Sequence, residues 1–147
     1  MPFASGNGMP LYAVIDTNVL VSAFLKENSV PRYIIDYMYA GKIIPVYNEE
    51  IINEYSAVLH RPKFCFPAES VDIAVNVIRQ IGLKIDGVSI IESITDPKDI
   101  VFYAVTLNAS KQFETYLITG NIKHFPANHF VVTPRHFLDV FDELFIN

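Results

Sequence analysis

The fold of this chain is decided by one segment, Leu11-Tyr12-Ala13-Val14-Ile15-Asp16-Thr17-Asn18. Its first five residues form a continuous apolar run, which is typical of a central strand in a parallel sheet because such a strand is buried on both faces. The polar residues that follow end the run abruptly. The segment therefore predicts a buried strand that delivers Asp16 to the carboxyl edge of a sheet.

Strand and helix patterns alternate on the carboxyl side of this segment. Further short strands are predicted at 43–46, 83–85, 89–91, 115–119 and 130–132, and Pro45 suggests that its strand lies at an edge of the sheet or ends there. Helices are predicted at 19–25, 33–39, 48–59, 69–81, 96–108 and from Pro134 onward. Such alternation predicts an α/β fold, a three-layer α/β/α sandwich with a mostly parallel central sheet.

The composition is that of one folded domain. The chain has 147 residues, of which 51% are hydrophobic and 18% charged, and this excludes an intrinsically disordered protein. No apolar run approaches the roughly 18 to 20 residues that span a bilayer, and the first residues lack a signal-peptide pattern. We therefore expect a soluble cytoplasmic protein without membrane association, with a flexible lead or tag remnant at 1–10 and a single domain at 11–147.

Cysteine usage and net charge narrow the function classes. The single Cys65 excludes an internal disulfide and a multi-cysteine zinc site. The net charge of −5 argues against a protein that coats nucleic acid without sequence preference, because such proteins are normally basic. A nuclease is still compatible with this charge, since a divalent cation held by carboxylates presents the positive face to a phosphate.

Oxygen-bearing side chains are predicted to meet where the strands end. Ligands bind open parallel sheets at the carboxyl ends of the strands. Asp16 and Asn121 follow two apolar strands, Glu54 lies at the rim of the apolar stripe of its helix, and Asp99 follows the helix cap Asp96 by three residues. Magnesium and manganese ions prefer such oxygen ligands. The sequence therefore predicts a site for Mg²⁺ or Mn²⁺.

Each acid alone also has a purely structural interpretation. Asp16 can cap the helix that follows it, and the negative charge of Asp99 can interact favourably with the dipole of its own helix. Glu54 can be an ordinary solvated helix residue. The combination of the acids, rather than any one of them, favours the metal site.

Taken in order, these segments resemble the PIN domain family of metal-dependent ribonucleases, in particular its toxin-like branch related to VapC proteins. The segments that carry the resemblance are Val14-Ile15-Asp16-Thr17-Asn18-Val19-Leu20, Asn48-Glu49-Glu50-Ile51-Ile52-Asn53-Glu54-Tyr55, Arg61-Pro62-Lys63-Phe64, Asp96-Pro97-Lys98-Asp99-Ile100-Val101-Phe102, Ile118-Thr119-Gly120-Asn121-Ile122-Lys123-His124-Phe125 and Val132-Thr133-Pro134-Arg135. The resemblance spans nearly the whole chain from Leu11. It implies a ribonuclease that hydrolyses RNA, with a protein antitoxin as a candidate partner.

The resemblance also assigns roles to single residues. The implied metal ligands and catalytic residues are Asp16, Glu54 and Asp99. The implied supporting residues are Thr17, Asn18, Thr119 and the helix cap Asp96. The departure from the family pattern is Asn121, where many members carry a fourth acid. An amide oxygen can still coordinate a metal or hold a water, but the lost charge puts a tightly held second metal in doubt.

The surfaces for substrate and partners are predicted from a few residues. The candidate phosphate-binding cations are Arg61, Lys63, Lys98, Lys123 and His124, for which ordinary surface charge is the alternative. The dense aromatic helix from Tyr33 to Tyr39 predicts a homodimer face or a groove for an antitoxin.

Two other functions remain open on the sequence alone. A degenerate PIN-like domain would act as a binding or interaction module, and Asn121 would be its sign. A phosphatase or phospho-receiver protein would use the strand-end aspartate as a nucleophile. That function requires a second acid close to Asp16, and Asn18 stands there instead.

Overall fold

The computed structural model describes residues 9–90 and 92–145. The predicted lead at 1–10 lies almost entirely outside these residues. The division of the chain into a lead and one domain therefore stays a prediction.

Strands and helices alternate along the described chain, as the sequence predicts. The strands are β1 Leu11–Ile15, β2 Ile43–Tyr47, β3 Leu83–Lys84, β4 Thr115–Ile118 and β5 Val131–Val132. The helices are α1 Thr17–Leu25, α2 Val30–Tyr39, α3 Glu49–Leu59, α4 Ala68–Ile81, α5 Pro97–Ala109 and α6 Pro134–Phe145. Short 3₁₀ turns lie at Pro62–Phe64 and Ile122–His124.

All of these strands belong to one parallel sheet in the order β3-β2-β1-β4-β5. Strands β2 and β3 lie on one side of β1, and β4 and β5 lie on its other side. The strand order therefore reverses between β1 and β4, which makes this place the switch point of the sheet. Ligands of open parallel sheets bind at such a switch point, outside the carboxyl ends of the strands. The residues after Ile15 and Ile118, which are partners in the β1–β4 register, therefore lie where a site is expected.

Helices cover both faces of the sheet. Ala13, Val14 and Ile15 are all buried, and neighbouring strand residues point to opposite faces. Helices α2 and α6 contact each other and pack on β2 and β4, whereas α5 packs on β1, β2 and β4 and contacts α3. The predicted α/β sandwich is confirmed, and the sheet is parallel throughout the described strands. None of the described helices is both long and apolar enough to cross a membrane.

The prediction that Pro45 marks an edge or a strand end is wrong, because β2 lies between β1 and β3. Pro45 pairs in register with Ala13, and its carbonyl oxygen faces Gly82, where an added Cβ would lie 2.7 Å away. The N–H and C=O of one residue point to the same side of a strand. The missing N–H of Pro45 therefore faces β3 just before the β2–β3 pairing begins at Val46, and the sheet loses no bond to β1.

The short strand predicted at 89–91 is also not found at Ser89 and Ile90, and Ile91 lies outside the described residues. The place beside β2 is already taken by β3. Ile90 packs against the core from a loop, so its apolar character reflects burial and not strand pairing.

Candidate acidic site

A cleft of about 400 Å³ opens beside the switch point of the sheet. The start of α1 contributes Thr17 and Asn18 to its lining, and α3 contributes Glu54. The start of α5 contributes Asp99 from the other side. The topology thus brings together polar residues from parts of the chain that are far apart in sequence.

Asp16 is held firmly at the end of β1. Its residue is only 7% exposed, and its Oδ2 accepts hydrogen bonds from Thr119 Oγ1 at 2.7 Å and from Asn18 Nδ2 at 3.2 Å. Its backbone N–H donates to the carbonyl of Ile118 at 2.9 Å. The side chain makes no cap hydrogen bond of the usual kind, to the second or third backbone N–H of α1, and contacts the side chains of Thr119 and Asn18 instead.

The turn after β4 is tied to the turn after β1. Thr119 is fully buried, and its hydroxyl accepts a hydrogen bond from the backbone N–H of Asn121 at 3.0 Å. The side-chain oxygen of Asn18 accepts from the backbone N–H of Gly120 at 3.2 Å. These bonds place Thr119 and Asn18 in contact with Asp16 or with the turn after β4, and the supporting role that the resemblance implies for them stays a prediction.

The pKa of the Asp16 carboxyl is raised above its ordinary value. Burial is the largest cause, since it removes water from the charged form, and the nearby charge of Glu54 adds to it. The hydrogen bonds from Thr119 and from the backbone of Thr17 oppose the shift because they stabilise the carboxylate. The charged form of Asp16 is therefore costly in this site unless a cation lies close by.

Glu54 is placed by the packing of α3. Ile51, Ile52 and Tyr55 are buried on the inner side of this helix, and this leaves Glu54 half-buried at the rim. Its Oε2 accepts a hydrogen bond from Thr17 Oγ1 at 2.5 Å. Glu54 is thus bound to the start of α1 and is not a freely solvated helix residue.

Sequence reasoning missed the role of Tyr55, which lies next to Glu54. Its fully buried hydroxyl donates to the carbonyl of Ile15 at 2.5 Å, directly before Asp16. Burial and the charges of Asp16 and Glu54 raise the pKa of Tyr55 well above its ordinary value, so the phenol stays protonated. The sequence does place Tyr55 on the apolar stripe of its helix. Because a buried tyrosine hydroxyl needs a hydrogen-bond partner, that position indicates a buried contact of this kind.

Asp99 stands in the first turn of α5. Asp96 caps this helix as predicted, with its Oδ1 accepting from the backbone N–H of Lys98 at 3.0 Å. The side chain of Asp99 is 17% exposed and lies 3.7 Å from Nδ1 of His124. Burial, followed by the charges of Asp16 and Asp96, raises the pKa of Asp99 to about 6.

A second pocket of about 350 Å³ adjoins the cleft through Asp96 and Asp99. Lys123 and His124 line this second pocket, whereas Arg61 and Lys98 line the cleft itself. The structure therefore brings four of the predicted cations to the acidic site.

Two predicted residues do not belong to the lining of either pocket, although Phe64, which Lys63 contacts, lines the cleft. Lys63 is exposed, and its Nζ lies over the ring of Phe64, 5.1 Å from the centroid. Asn121 is exposed and contacts Thr119 through its backbone N–H, but its side chain lines neither the cleft nor the second pocket.

The chemistry of the donors fits a hard divalent cation, although the acids do not form a closed ligand group. Among the described residues, no three His, Cys, Asp or Glu side chains are arranged closely enough to hold a metal ion. The charges of Asp16 and Glu54 both raise the pKa of Asp99, so the three carboxylates are electrostatic neighbours. A divalent cation would relieve this repulsion, and carboxylate oxygens are its preferred ligands.

A family model described as the PIN domain matches residues 12–123. The matched range runs from β1 through the second 3₁₀ turn and contains Asp16, Glu54 and Asp99. The comparisons with curated proteins and with solved structures gave no match.

Proposed function

The chain belongs to the PIN domain family, whose members are generally nucleases, and we propose that it is a metal-dependent endoribonuclease. The observation that carries this proposal is that Glu54 and Asp99 line one cleft beside the end of β1, where Asp16 lies hydrogen-bonded to Thr119. Arg61 and Lys98 line the same cleft, so their positive charges could contact the phosphates of a strand whose scissile bond lies near the acids.

The proposed cofactor is Mg²⁺ or Mn²⁺, held by Asp16, Glu54 and Asp99. When bound, such an ion lowers the pKa of water and neutralises a phosphate. Asn121 remains the proposed fourth oxygen donor, although its side chain lines neither pocket and only its backbone N–H, bonded to Thr119, is tied to the site.

The chain itself would keep the ligands in place. Thr119 and Asn18 hold one carboxylate oxygen of Asp16, and Thr17 holds one carboxylate oxygen of Glu54. Oriented ligands bind metals more tightly and need less rearrangement during a reaction, which is why groups behind a metal site matter for activity.

The proposed reaction is hydrolysis of an RNA phosphodiester. A water oxygen forms a bond to phosphorus while the bond from phosphorus to the 3′ oxygen breaks. The water loses one proton to solvent and the departing 3′ oxygen gains one, which leaves a 5′-phosphate and a 3′-hydroxyl. Arg61 and Lys98 would position the strand in the cleft, and Lys123 and His124 would contact it beyond Asp99.

The finer proposal is that this nuclease is a cytoplasmic toxin with a protein antitoxin and a homodimeric state. A groove of about 200 Å³ lies between α1, α2 and α4, with Phe24, Ile35 and Ile73 in its lining. Tyr33 and Tyr39 on α2 are 43% and 48% exposed. Aromatic surface of this kind supports a protein-binding face.

A binding module without catalysis is the second candidate function. Two observations favour it: the described acids form no closed group of three, and Asn121 replaces a fourth acid. Such a module would bind RNA through the cations of the cleft and leave it intact.

Cleavage of a labelled, structured RNA pool tests the proposal. The purified protein is assayed with Mn²⁺, with Mg²⁺ and with EDTA, beside an Asp16→Asn and Asp99→Asn double variant. We expect cutting that requires the metal and disappears in the double variant. Absence of cutting in both metals, together with no Mn²⁺ binding by calorimetry, would support the binding module instead.

A further inference from the structure

The second pocket, next to the acidic cleft, has a lining that the hydrolysis of a phosphodiester does not require. Besides Asp96 and Asp99, it contains the exposed hydroxyl side chains of Ser93 and Thr95. Its volume of about 350 Å³ falls in the usual range for pockets that take one small organic group, roughly 300–1,000 Å³. Hydroxyl side chains can contact phosphates as well as base edges, and proteins read the edges of unstacked RNA bases through hydrogen bonds in pockets of this kind.

The walls of this pocket are joined by one buried residue of α5. Tyr103 is 1% exposed, its hydroxyl donates to Glu92 Oε2 at 3.2 Å, and it accepts from Asn128 Nδ2 at 3.4 Å. Glu92 directly precedes Ser93, and Asn128 follows the segment 123–126 that forms the opposite wall. Both walls are therefore tied to the same helix.

The remaining lining suits a nucleotide. Phe125 and Pro126 form an apolar surface, and Phe125 stacks on the ring of Tyr103 with a centroid distance of 6.5 Å. The side chain of His124 is 59% exposed, and a histidine ring is one of the groups on which an unstacked base can stack. Lys123 supplies a cation for the adjoining phosphate.

We propose that this pocket holds the base next to the scissile phosphate, and that the hydroxyls of Ser93 and Thr95 select that base. The inference rests on the proposed ribonuclease function, because the acidic cleft defines where the scissile phosphate lies. Tyr103 is the positioning residue that keeps the two walls apart at a fixed width. The protein then cuts RNA with a preference for the base at one flanking position.

The first experiment compares cleavage sites in an RNA pool with randomised positions in Mn²⁺. We expect the wild type to prefer one base at a flanking position by about tenfold, which lies within the discrimination that one good hydrogen-bonding contact to a base supplies. The Ser93→Ala and Thr95→Val double variant should lose that preference while it still cuts. Ser70→Ala removes an exposed hydroxyl from the distant groove between α1, α2 and α4, and should leave the preference intact. An unchanged preference in the double variant, or no preference in the wild type, overturns the inference.

A binding experiment separates failure of the inference from failure of the nuclease proposal. A short unstructured RNA is titrated into the Asp16→Asn variant, and the Thr95 methyl resonance is followed by NMR. We expect a saturable shift of this resonance, and weaker binding when Tyr103→Phe is added. If the wild type cuts no RNA but the shift is seen, the nuclease proposal fails and the pocket is an RNA-binding site without a role in cleavage. If the wild type cuts RNA and the shift is absent, the nuclease stands without the pocket.

Discussion

The two sides of the acidic cleft are built differently. On the β1 side, Asp16 is buried and accepts hydrogen bonds from Thr119 and Asn18. On the α5 side, Asp99 is partly exposed, and its Oδ2 lies 3.7 Å from Nδ1 of His124. One carboxylate is fixed by the fold, whereas the other is held mainly by the helix that carries it.

The difference teaches how the proposed metal site could be prepared without being closed. The firm side would set the position of the first ligand, and the loose side carries a carboxyl with a pKa of about 6 that faces other negative charges. A cation that joins the two sides would remove the repulsion on the loose side. The absence of a closed acidic group among the described residues is consistent with this arrangement.

The largest effect is expected from Asp16→Asn, which removes the charge of the firm side. The amide oxygen can still accept from Thr119, so the fold should persist, but cleavage of RNA in Mn²⁺ should fall by about a hundredfold or more. Cleavage rates and thermal unfolding measure the two effects. Asp139→Asn, at an exposed side chain of α6, is the matched control and should leave the rate unchanged. A variant that cuts at more than a tenth of the wild-type rate would contradict the proposed role of Asp16.

The next effect tests whether the firmness itself matters. Thr119→Val removes the hydroxyl that holds Asp16, and we expect Mn²⁺ affinity and the cleavage rate to fall by about 10 to 100-fold. Thr119→Ser should restore most of both. Thr106→Val removes another buried hydroxyl, which bonds within α5, and should lower stability without changing Mn²⁺ affinity. Equal losses of affinity in the two valine variants would show that Thr119 is only a stability residue.

The third prediction concerns the loose side in the absence of metal. A carboxyl whose folded pKa is raised from 3.8 to about 6 stabilises the fold below its ordinary pKa, and that contribution is lost as pH rises through about 6. Asp99→Asn should therefore raise the free energy of unfolding by about 1–2 kcal/mol at about pH 8, and by almost nothing at about pH 4.

Urea unfolding at the two pH values measures this difference. Saturating Mg²⁺ should stabilise the wild type more than Asp99→Asn. The wild type should then have the higher free energy of unfolding at about pH 8. The exposed Asp36→Asn, which loses a surface ion pair with Arg32, is the control and should show neither response. A lower stability of Asp99→Asn at about pH 8 without metal would refute the repulsion argument.

The smallest effect is expected at the cations. Arg61 lines the cleft whereas Lys63 lies over Phe64, so the two neighbours form a matched pair. Arg61→Gln should weaken RNA binding by about threefold to tenfold and lower the salt dependence by about one phosphate contact. Lys63→Gln should change both far less. Filter binding over a salt series distinguishes them, and equal effects would place the strand outside the cleft.

Much of the fold was readable because its signals are local. The apolar run of β1 predicts a buried parallel strand, and Asp96-Pro97 predicts the start of α5; both are confirmed. The position of Pro45 was not readable in this way. It depends on where β3 begins to pair, and only the tertiary structure fixes that point.

The sequence predicts which residue types the candidate site contains, but it does not predict the hydrogen bonds between them. The sequence places Asp16, Glu54 and Asp99 near one sheet edge, but it cannot show that Thr17 binds Glu54. Nor does the sequence show which of Arg61 and Lys63 lines the cleft. The short 3₁₀ turn at Pro62–Phe64 directs the two side chains differently, and the sequence does not fix its geometry. The pocket of Ser93 and Thr95 lies in a loop without periodicity, and such a loop gives no pattern to read.

The hydrogen bond between Thr119 and Asp16 joins residues that are 103 positions apart in the chain. At a synthesis rate of roughly 5–20 residues per second, the two sides of the cleft leave the ribosome about 5–20 s apart. A nascent chain of this protein therefore exposes Asp16 for seconds before β4 and Thr119 can hold it, and the cleft cannot assemble before β4 has been made.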